Sequence, residues 1–184
     1  MDDQILLTKI IKHNDKEAFE ELYNLYGDYA LRVATAVTGD SSKASDAVQE
    51  TFIRIYFNIK NFKLDKPFKP WLYKILINEC NRILRKGGKI TYISDYIENN
   101  VELSEEDKHN FEEYEDLYVA IKNLDSINKT PIVLKYLGGF KEKEISQILN
   151  ININTLKSRL LKGRQKLKKV LEKNDERRNT NERR

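Results

Sequence analysis

Apolar residues recur three or four apart along most of this chain with polar residues filling the intervals, which is the pattern of amphipathic helices. The first such segment follows "NDKE", where Asn14 is expected to cap and Glu17 to reach back in a capping box. Ala18, Phe19, Leu22, Tyr23, Tyr26, Ala30, Val33, Ala34 and Val37 then follow at helical spacing up to Gly39. A second helix is expected to start at the "GDSSK" turn and to bury Ala44, Val48, Phe52, Ile55, Tyr56 and Ile59, with Asp46, Gln49 and Glu50 on its exposed face. "NFKLDKPFKPW" interrupts the pattern, because two prolines three apart forbid continuous helix. Pro70 suits the first turn of a third helix that reaches about Lys86, with Leu72, Ile75, Leu76, Cys80 and Ile83 inward.

From Gly87 to about Asn110 the periodicity fades and acids accumulate, as in a flexible linker, and the domain boundary is expected there. Helical spacing resumes near Phe111 with Leu117, Ala120, Ile121 and Leu124, and is expected to break around "SINKTP". Pro131 is expected to open a short apolar helix, "PIVLKYLGGF", ended by Gly138 and Gly139; residues 141 to 149 form another, with Ile145, Ile148 and Leu149 inward. In the last segment Ile153, Leu156, Leu160, Leu167 and Leu171 form a clean apolar seam. Lys157, Arg159, Lys162, Arg164, Lys166, Lys168 and Lys169 cover its other faces, and no acid intervenes before Glu172. The predicted fold is all-α: two small helical domains joined by a flexible acidic linker, with a helix-turn-helix in the C-terminal one. Only 7 glycines and 3 prolines in 184 residues agree with it. No solenoid-type repeat interrupts the series.

Composition narrows the classes of function. A single cysteine, Cys80, excludes an internal disulfide framework. "MDDQILLTKIIKH" lacks the basic n-region and long apolar run of a signal peptide, and nothing approaches 18 uninterrupted apolar residues, so an intracellular, cytoplasmic chain without membrane insertion is expected. His13 and His109 are isolated, and no grouping has metal-ligand, phosphate-loop or Ser/His/Asp character, so the expectation is a non-enzyme with no cofactor or metal and no small-molecule substrate.

The net charge of +4 conceals a segregation. Residues 60 to 89 carry nine bases against two acids, residues 94 to 116 ten acids against one base, and residues 157 to 184 twelve bases against four acids. Two separate cationic blocks suggest two contacts with a polyanion, since each neutralised phosphate releases counterions.

Each basic block has its own organisation. Residues 141 to 162 read as helix, short turn, helix, the length of a helix-turn-helix whose second helix enters the major groove. Asn150 stands at the tight turn in place of glycine, because asparagine visits the left-handed region readily. The outward residues of the second helix are Asn154, Lys157, Ser158, Leu161, Lys162 and Gln165. Lysine donates to guanine and Leu161 suits a thymine methyl, while Arg159 and Arg164 suit phosphates. Thr155 is expected at the helix start, as its cap and within the set facing the duplex. In the other block Lys74, Asn78, Arg82 and Arg85 form one stripe, and Phe62, Phe68, Trp71 and Tyr73 lie in or beside the proline-broken loop. A cationic track beside aromatic platforms is the chemistry of single-stranded nucleic acid.

With these motifs the chain resembles the extracytoplasmic-function group of bacterial sigma factors, within the sigma-70 family, from about Asp15 to Leu171. "NDKEAFEELYNLYGDYALRVATAVTGD", "ASDAVQETFIRIY", "FKPWLYKILINECNRILRK" and "YLGGFKEKEISQILNININTLKSRLLKGRQKL" follow its patterns in order. The family more often has glycine at Asn150 and a small residue such as alanine at Gly163. The resemblance implies a promoter-recognition subunit of RNA polymerase, with residues 1–88 as region 2, 89–110 as an acidic linker, 111–173 as region 4 and 174–184 as a polar basic tail. It implies that Asp46, Gln49 and Glu50, with Phe52 nearby, grip the clamp helices of the polymerase's largest subunit, and that the flap is also a partner. Asn58, Phe62, Ile75 and Asn78 match a pocket for a flipped-out minus-ten base, and Lys74, Arg82 and Arg85, with Trp71 beside them, would hold the opened strand. Lys157, Ser158, Leu161 and Lys162 match the minus-thirty-five readers. The acidic linker would imitate RNA in the exit channel, and an anti-sigma partner is expected.

Two other readings stay open on the sequence alone. An ordinary helix-turn-helix repressor or activator predicts tight binding of the isolated protein to an operator. A protein-interaction bundle predicts no DNA dependence at any salt.

Overall fold

The computed structural model describes residues 3–86 and 120–181, and every regular element among them is helical. The expected linker at 89–110, the acid-rich run at 94–116 and Leu117 lie outside the described residues.

The chain opens with a helix that the sequence analysis did not assign, α1 (Asp3–His13), which buries Leu6, Leu7 and Ile10 along one side. It ends on Asn14, whose N–H donates to the Ile10 carbonyl at 3.0 Å and whose φ of 54° lies in the left-handed region. The cap of the next helix is therefore Asp15, one residue later than expected, with its carboxylate accepting from the Ala18 N–H. That helix, α2 (Lys16–Thr38), closes on Gly39 at φ 70°, where a side chain would be strained. Asp40 then caps α3 (Ser41–Asn58), accepting from the Lys43 N–H at 3.1 Å and pairing with its ammonium at 2.9 Å. Burial alone would raise the Asp40 carboxyl; the Lys43 ammonium and the Lys43 and Ser42 amides outweigh it and hold the group below its ordinary value.

After a 3-10 turn (Ile59–Asn61), α4 (Phe68–Lys86) places Pro70 in its first turn, where a missing N–H removes no helix bond. Alanines 30, 34, 44 and 47 are fully buried, letting α2 and α3 approach closely, and Leu72 and Leu76 of α4 close the core beside them. Burial raises the Cys80 thiol to about 12, with the neighbouring Glu79 charge adding to the effect, so Cys80 is core rather than nucleophile.

The C-terminal part has helical residues at 120–122, then α5 (Ser126–Tyr136), α6 (Glu142–Leu149) and α7 (Ile153–Asn181). The break expected around "SINKTP" falls just ahead of it, at 123–125, and that stretch is itself helical. Asp125 caps α5 by accepting from the Asn128 N–H, and the helix runs through Pro131. Proline forfeits one helix bond, and Pro131, Ile132, Val133 and Leu134 are all buried, so packing outweighs the local rule. Asn150 adopts φ 51° at the α6 C-terminus, as expected from its residue type. Gly163 answers a packing need: a Cβ there would lie 2.6 Å from Ile132 Cγ1, so α5 and α7 cross where no side chain intervenes. The helix also continues through most of the segment expected as a polar tail, as far as Asn181.

Helix α6 packs against α4, and α5 against α2. At the centre of this junction Phe140 meets Tyr73 edge-on, with centroids 4.8 Å apart, and Lys69 donates to the Gly138 carbonyl at 3.1 Å. The Tyr73 hydroxyl is buried with no hydrogen-bond partner among the described residues, a cost of about 1–3 kcal/mol that the surrounding apolar contact must offset.

Candidate nucleic-acid interfaces

The helix-turn-helix is built by α6, a three-residue connection and α7. Asn152 sets the start of α7: its side chain accepts from the Asn154 N–H at 2.8 Å, and its carbonyl accepts from the Leu156 N–H at 3.0 Å. Thr155 is therefore not the cap; it stands exposed and lines a hollow with Asn154, Ser158 and Lys162 beside Asp125 at the start of α5. The split between seam and surface follows the sequence closely. Leu156, Leu160 and Leu167 are buried, while Asn154, Lys157, Ser158, Lys162, Arg164 and Gln165 are exposed and Leu161 keeps 51% of its surface. Arg159 is half-buried at the edge of this face. Lys166 leaves the face to pair with Asp125, tying α7 to the cap of α5 and holding the Asp125 carboxyl below its ordinary value. An exposed leucine between lysines has no packing role here, and it suits a base edge or methyl group.

On α4 the predicted stripe is partly realised. Lys74, Asn78 and Arg85 are exposed, Arg82 is half-exposed and Ile75 is half-buried against the core. Asn58 is exposed at the end of α3, where its amide donates to the Arg54 carbonyl at 2.8 Å. The aromatic expectation needs correction. Tyr73 and Phe68 are buried, and Phe62 keeps only 9% of its surface. Phe62 packs against Trp71 at 4.9 Å and Phe68 at 5.6 Å, so the rings cover one another instead of offering free faces. Trp71 alone of the four stays half-buried, with Phe62 as its floor. Apolar rings in one short loop gain more from joint burial than from standing in water.

The carboxylate face of α3 is present, with Asp46 and Gln49 exposed and Glu50 half-exposed. Phe52 lies beneath this face, buried as its spacing predicts. At 4% exposure its ring lies under Tyr23, with centroids 4.7 Å apart, and forms the floor of a groove of about 560 Å³ between α2 and α3. The rim of that groove holds Tyr23, Ile53, Tyr56 and Phe57, all exposed and Phe57 at 75%. Tyr23 and Tyr56 were expected inside. Ile53 and Phe57 were not singled out, although their spacing of four residues on the polar side of α3 was the available signal.

Between the two faces lies a cluster of ions that spacing alone did not reveal. Glu79 of α4 pairs with Arg54 of α3 at 2.8 Å and with Arg82 at 2.5 Å; Glu50 pairs with Arg54 at 3.2 Å and approaches Arg82 at 4.0 Å. Hydrogen bonding to Glu79 raises the Arg82 guanidinium above its ordinary value. Among the described residues no group of three or more potential metal ligands occurs, and no helix is long and apolar enough to cross a membrane.

Known proteins resemble this chain in sequence and fold. Residues 22–90 match the family model for Sigma-70 region 2, and residues 114–167 that for Sigma-70, region 4. The ECF RNA polymerase sigma factor SigW of Bacillus subtilis (strain 168) is 32% identical over 176 residues, covering 89% of this chain and 94% of that protein. Two solved structures share the fold. CnrH, in complex with the cytosolic domain of CnrY, matches with a TM-score of 0.71 at 21% identity over 92% of this chain and 97% of that one. The sigma factor RpoE of Bartonella quintana, in complex with the anti-sigma factor NepR, matches with a TM-score of 0.66 at 23% identity over 84% of this chain and 96% of that one.

Proposed function

This chain belongs to the extracytoplasmic-function sigma factors of the sigma-70 family and is a promoter-specific RNA polymerase sigma factor; from that premise we propose how its surfaces divide the work. Residues 1–88 bind core polymerase and capture the melted minus-ten strand; residues 111–173 read the minus-thirty-five duplex. On α7, Lys157, Ser158, Leu161 and Lys162 meet base edges, with Asn154 and Thr155 at the helix start, while Arg159 and Arg164 hold phosphates. On α4, Lys74, Arg82 and Arg85 hold the opened strand, and Asn58, Ile75, Asn78 and Trp71 border the place of a flipped base. Phe62 supports Trp71 from below. Asp46, Gln49 and Glu50 engage the polymerase clamp, with Phe52 as the floor of the adjoining groove.

The mechanism is differential binding. Extruding a base costs a few kcal/mol of stacking, and contacts available only to the extruded base offset that cost, so the melted promoter is favoured. The protein carries out no bond chemistry of its own in this scheme. It acts in the cytoplasm, and a protein of the anti-sigma kind, as in the complex of RpoE with NepR, is a fitting regulator.

The observation that carries the proposal is the arrangement on α7, where one face is apolar, with Leu156, Leu160 and Leu167 buried, and the opposite face presents Lys157, Leu161 and Lys162 to solvent. Transcription in vitro with core polymerase and this protein, on a genomic DNA library, tests it. Initiation at sites sharing a two-part element is expected. Tight operator binding without polymerase would instead mark a repressor or activator. Asn78→Ala is expected to impair melting while sparing duplex binding, and permanganate reactivity of the minus-ten thymines should fall; unchanged reactivity would remove Asn78 from the pocket.

A further inference from the structure

A buried carboxylate that neither set of contacts uses lies between the strand-facing and polymerase-facing residues. Glu79 is 4% exposed, beside Asn78 and three residues before Arg82. Its oxygens are taken by two helices: Oε1 forms an ion pair with Arg54 Nε of α3 at 2.8 Å, and Oε2 accepts a hydrogen bond from Arg82 Nε of α4. A carboxylate is costly to bury unless it is paired, and here two guanidinia make the burial tolerable while being fixed by it. Glu79 holds Arg82 by Nε, which leaves the Nη edge for another partner. Among the described residues the ion pair of that edge is with Glu50, whose Oε1 lies 4.0 Å from Nη2, too long for a hydrogen bond.

Resting on the assignments of Arg82 to the opened strand and Glu50 to polymerase, we infer that Glu79 is a positioning residue for strand capture and that Glu50 restrains Arg82 until polymerase engages it. A long arginine loses rotamer freedom when it grips a phosphate, and anchoring Nε beforehand removes most of that loss. The planar guanidinium still offers its Nη edge to a phosphate while Nε stays on Glu79. Glu50 competes for the same edge and screens its charge. A polymerase cation that takes Glu50 leaves Arg54 to Glu79 and frees Arg82 for DNA. Linkage makes the effect reciprocal: bound strand, by drawing Arg82 away, leaves Glu50 more available to polymerase.

The test uses holoenzyme assembled from core polymerase and the full chain. Its affinity for a fork DNA with a single-stranded minus-ten segment is measured by anisotropy across a salt series. R82A is expected to weaken binding roughly five- to tenfold and to reduce the log–log salt slope by about 0.7, the value for one phosphate contact on single strands. E79Q, which never touches DNA, should produce the same loss and the same slope change, and E79Q/R82A should lose no more than R82A alone. E50Q is expected to raise the affinity of the free chain for single strand and to shrink the enhancement that polymerase provides.

Unchanged binding by R82A would refute the strand assignment itself. If R82A weakens binding but folded E79Q does not, or does so without a slope change, or adds fully to R82A, then Glu79 is only structural and the inference is overturned. Should circular dichroism show E79Q unfolded, E50Q decides, and an unchanged free-chain affinity overturns the inference.

Discussion

Helices α4 and α7 both carry cations on one side and aliphatic residues on the other, yet the structure treats their charges differently. On α7, Lys157 and Lys162 stand in solvent with no ion pair among the described residues. On α4, Arg82 is gripped by Glu79 and approached by Glu50, and three of the four rings beside the stripe are buried. A stripe read from spacing becomes a free surface only where no neighbouring element sets a carboxylate or a ring against it. Helix α7 meets its neighbours mainly along the seam, with Lys166 reaching Asp125, whereas α4 is packed by α2, α3 and α6.

The strongest way to break this comparison is to attack α7 from beneath. Leu156 is fully buried, and Leu156→Ala leaves a cavity worth about 2–5 kcal/mol. The melting temperature by circular dichroism should fall markedly, and the upstream element should lose its footprint. A smaller and sharper effect comes from the exposed side. Lys157→Ala should leave the melting temperature unchanged and cost about 1–3 kcal/mol of binding to the upstream duplex. Holoenzyme affinity for promoters altered at single upstream positions measures this, and a uniform loss over all sequences would make Lys157 a phosphate contact rather than a reader.

The smallest effect concerns the joint between α5 and α7. Asp125→Ala removes an N-cap and the partner of Lys166, at a cost of about 1 kcal/mol. Lys166 chiefly, with the Asn128 N–H, holds the Asp125 carboxyl below its ordinary value. Its contribution is therefore present above the usual carboxylate range and is lost as pH falls through the lowered value. Melting curves taken from neutral to acid pH should show the wild type losing this increment and Asp125→Ala lacking it throughout.

Much of the molecule was legible because its information is local. Gly39 ending α2, Asp40 opening α3 and Asn150 in the left-handed region each follow from one residue's chemistry, and the faces of α7 follow from its seam. The failures share a different cause. Helix α1 has only Leu6, Leu7 and Ile10 to bury, too few to stand out as a pattern, and it forms because α2 receives them. The helix start expected at Pro131 lies upstream at Ser126, because Asp125 caps it there and Pro131 to Leu134 are buried. Phe52 was expected inward from its spacing and is buried, whereas Phe62, expected in the base pocket from the family resemblance, is covered by rings that are its neighbours in space.

By itself, the sequence determined the all-helical fold, the charge segregation and the exposed cationic side of α7, since periodicity, caps and like-charge runs act within a few residues along one helix. Only the tertiary structure decided which rings remain accessible, that Gly163 exists to admit Ile132, and that Arg54, Glu79, Arg82 and Glu50 form one cluster. Those outcomes depend on which helix lies opposite, and burial and charge pairing act across space between residues far apart in the chain.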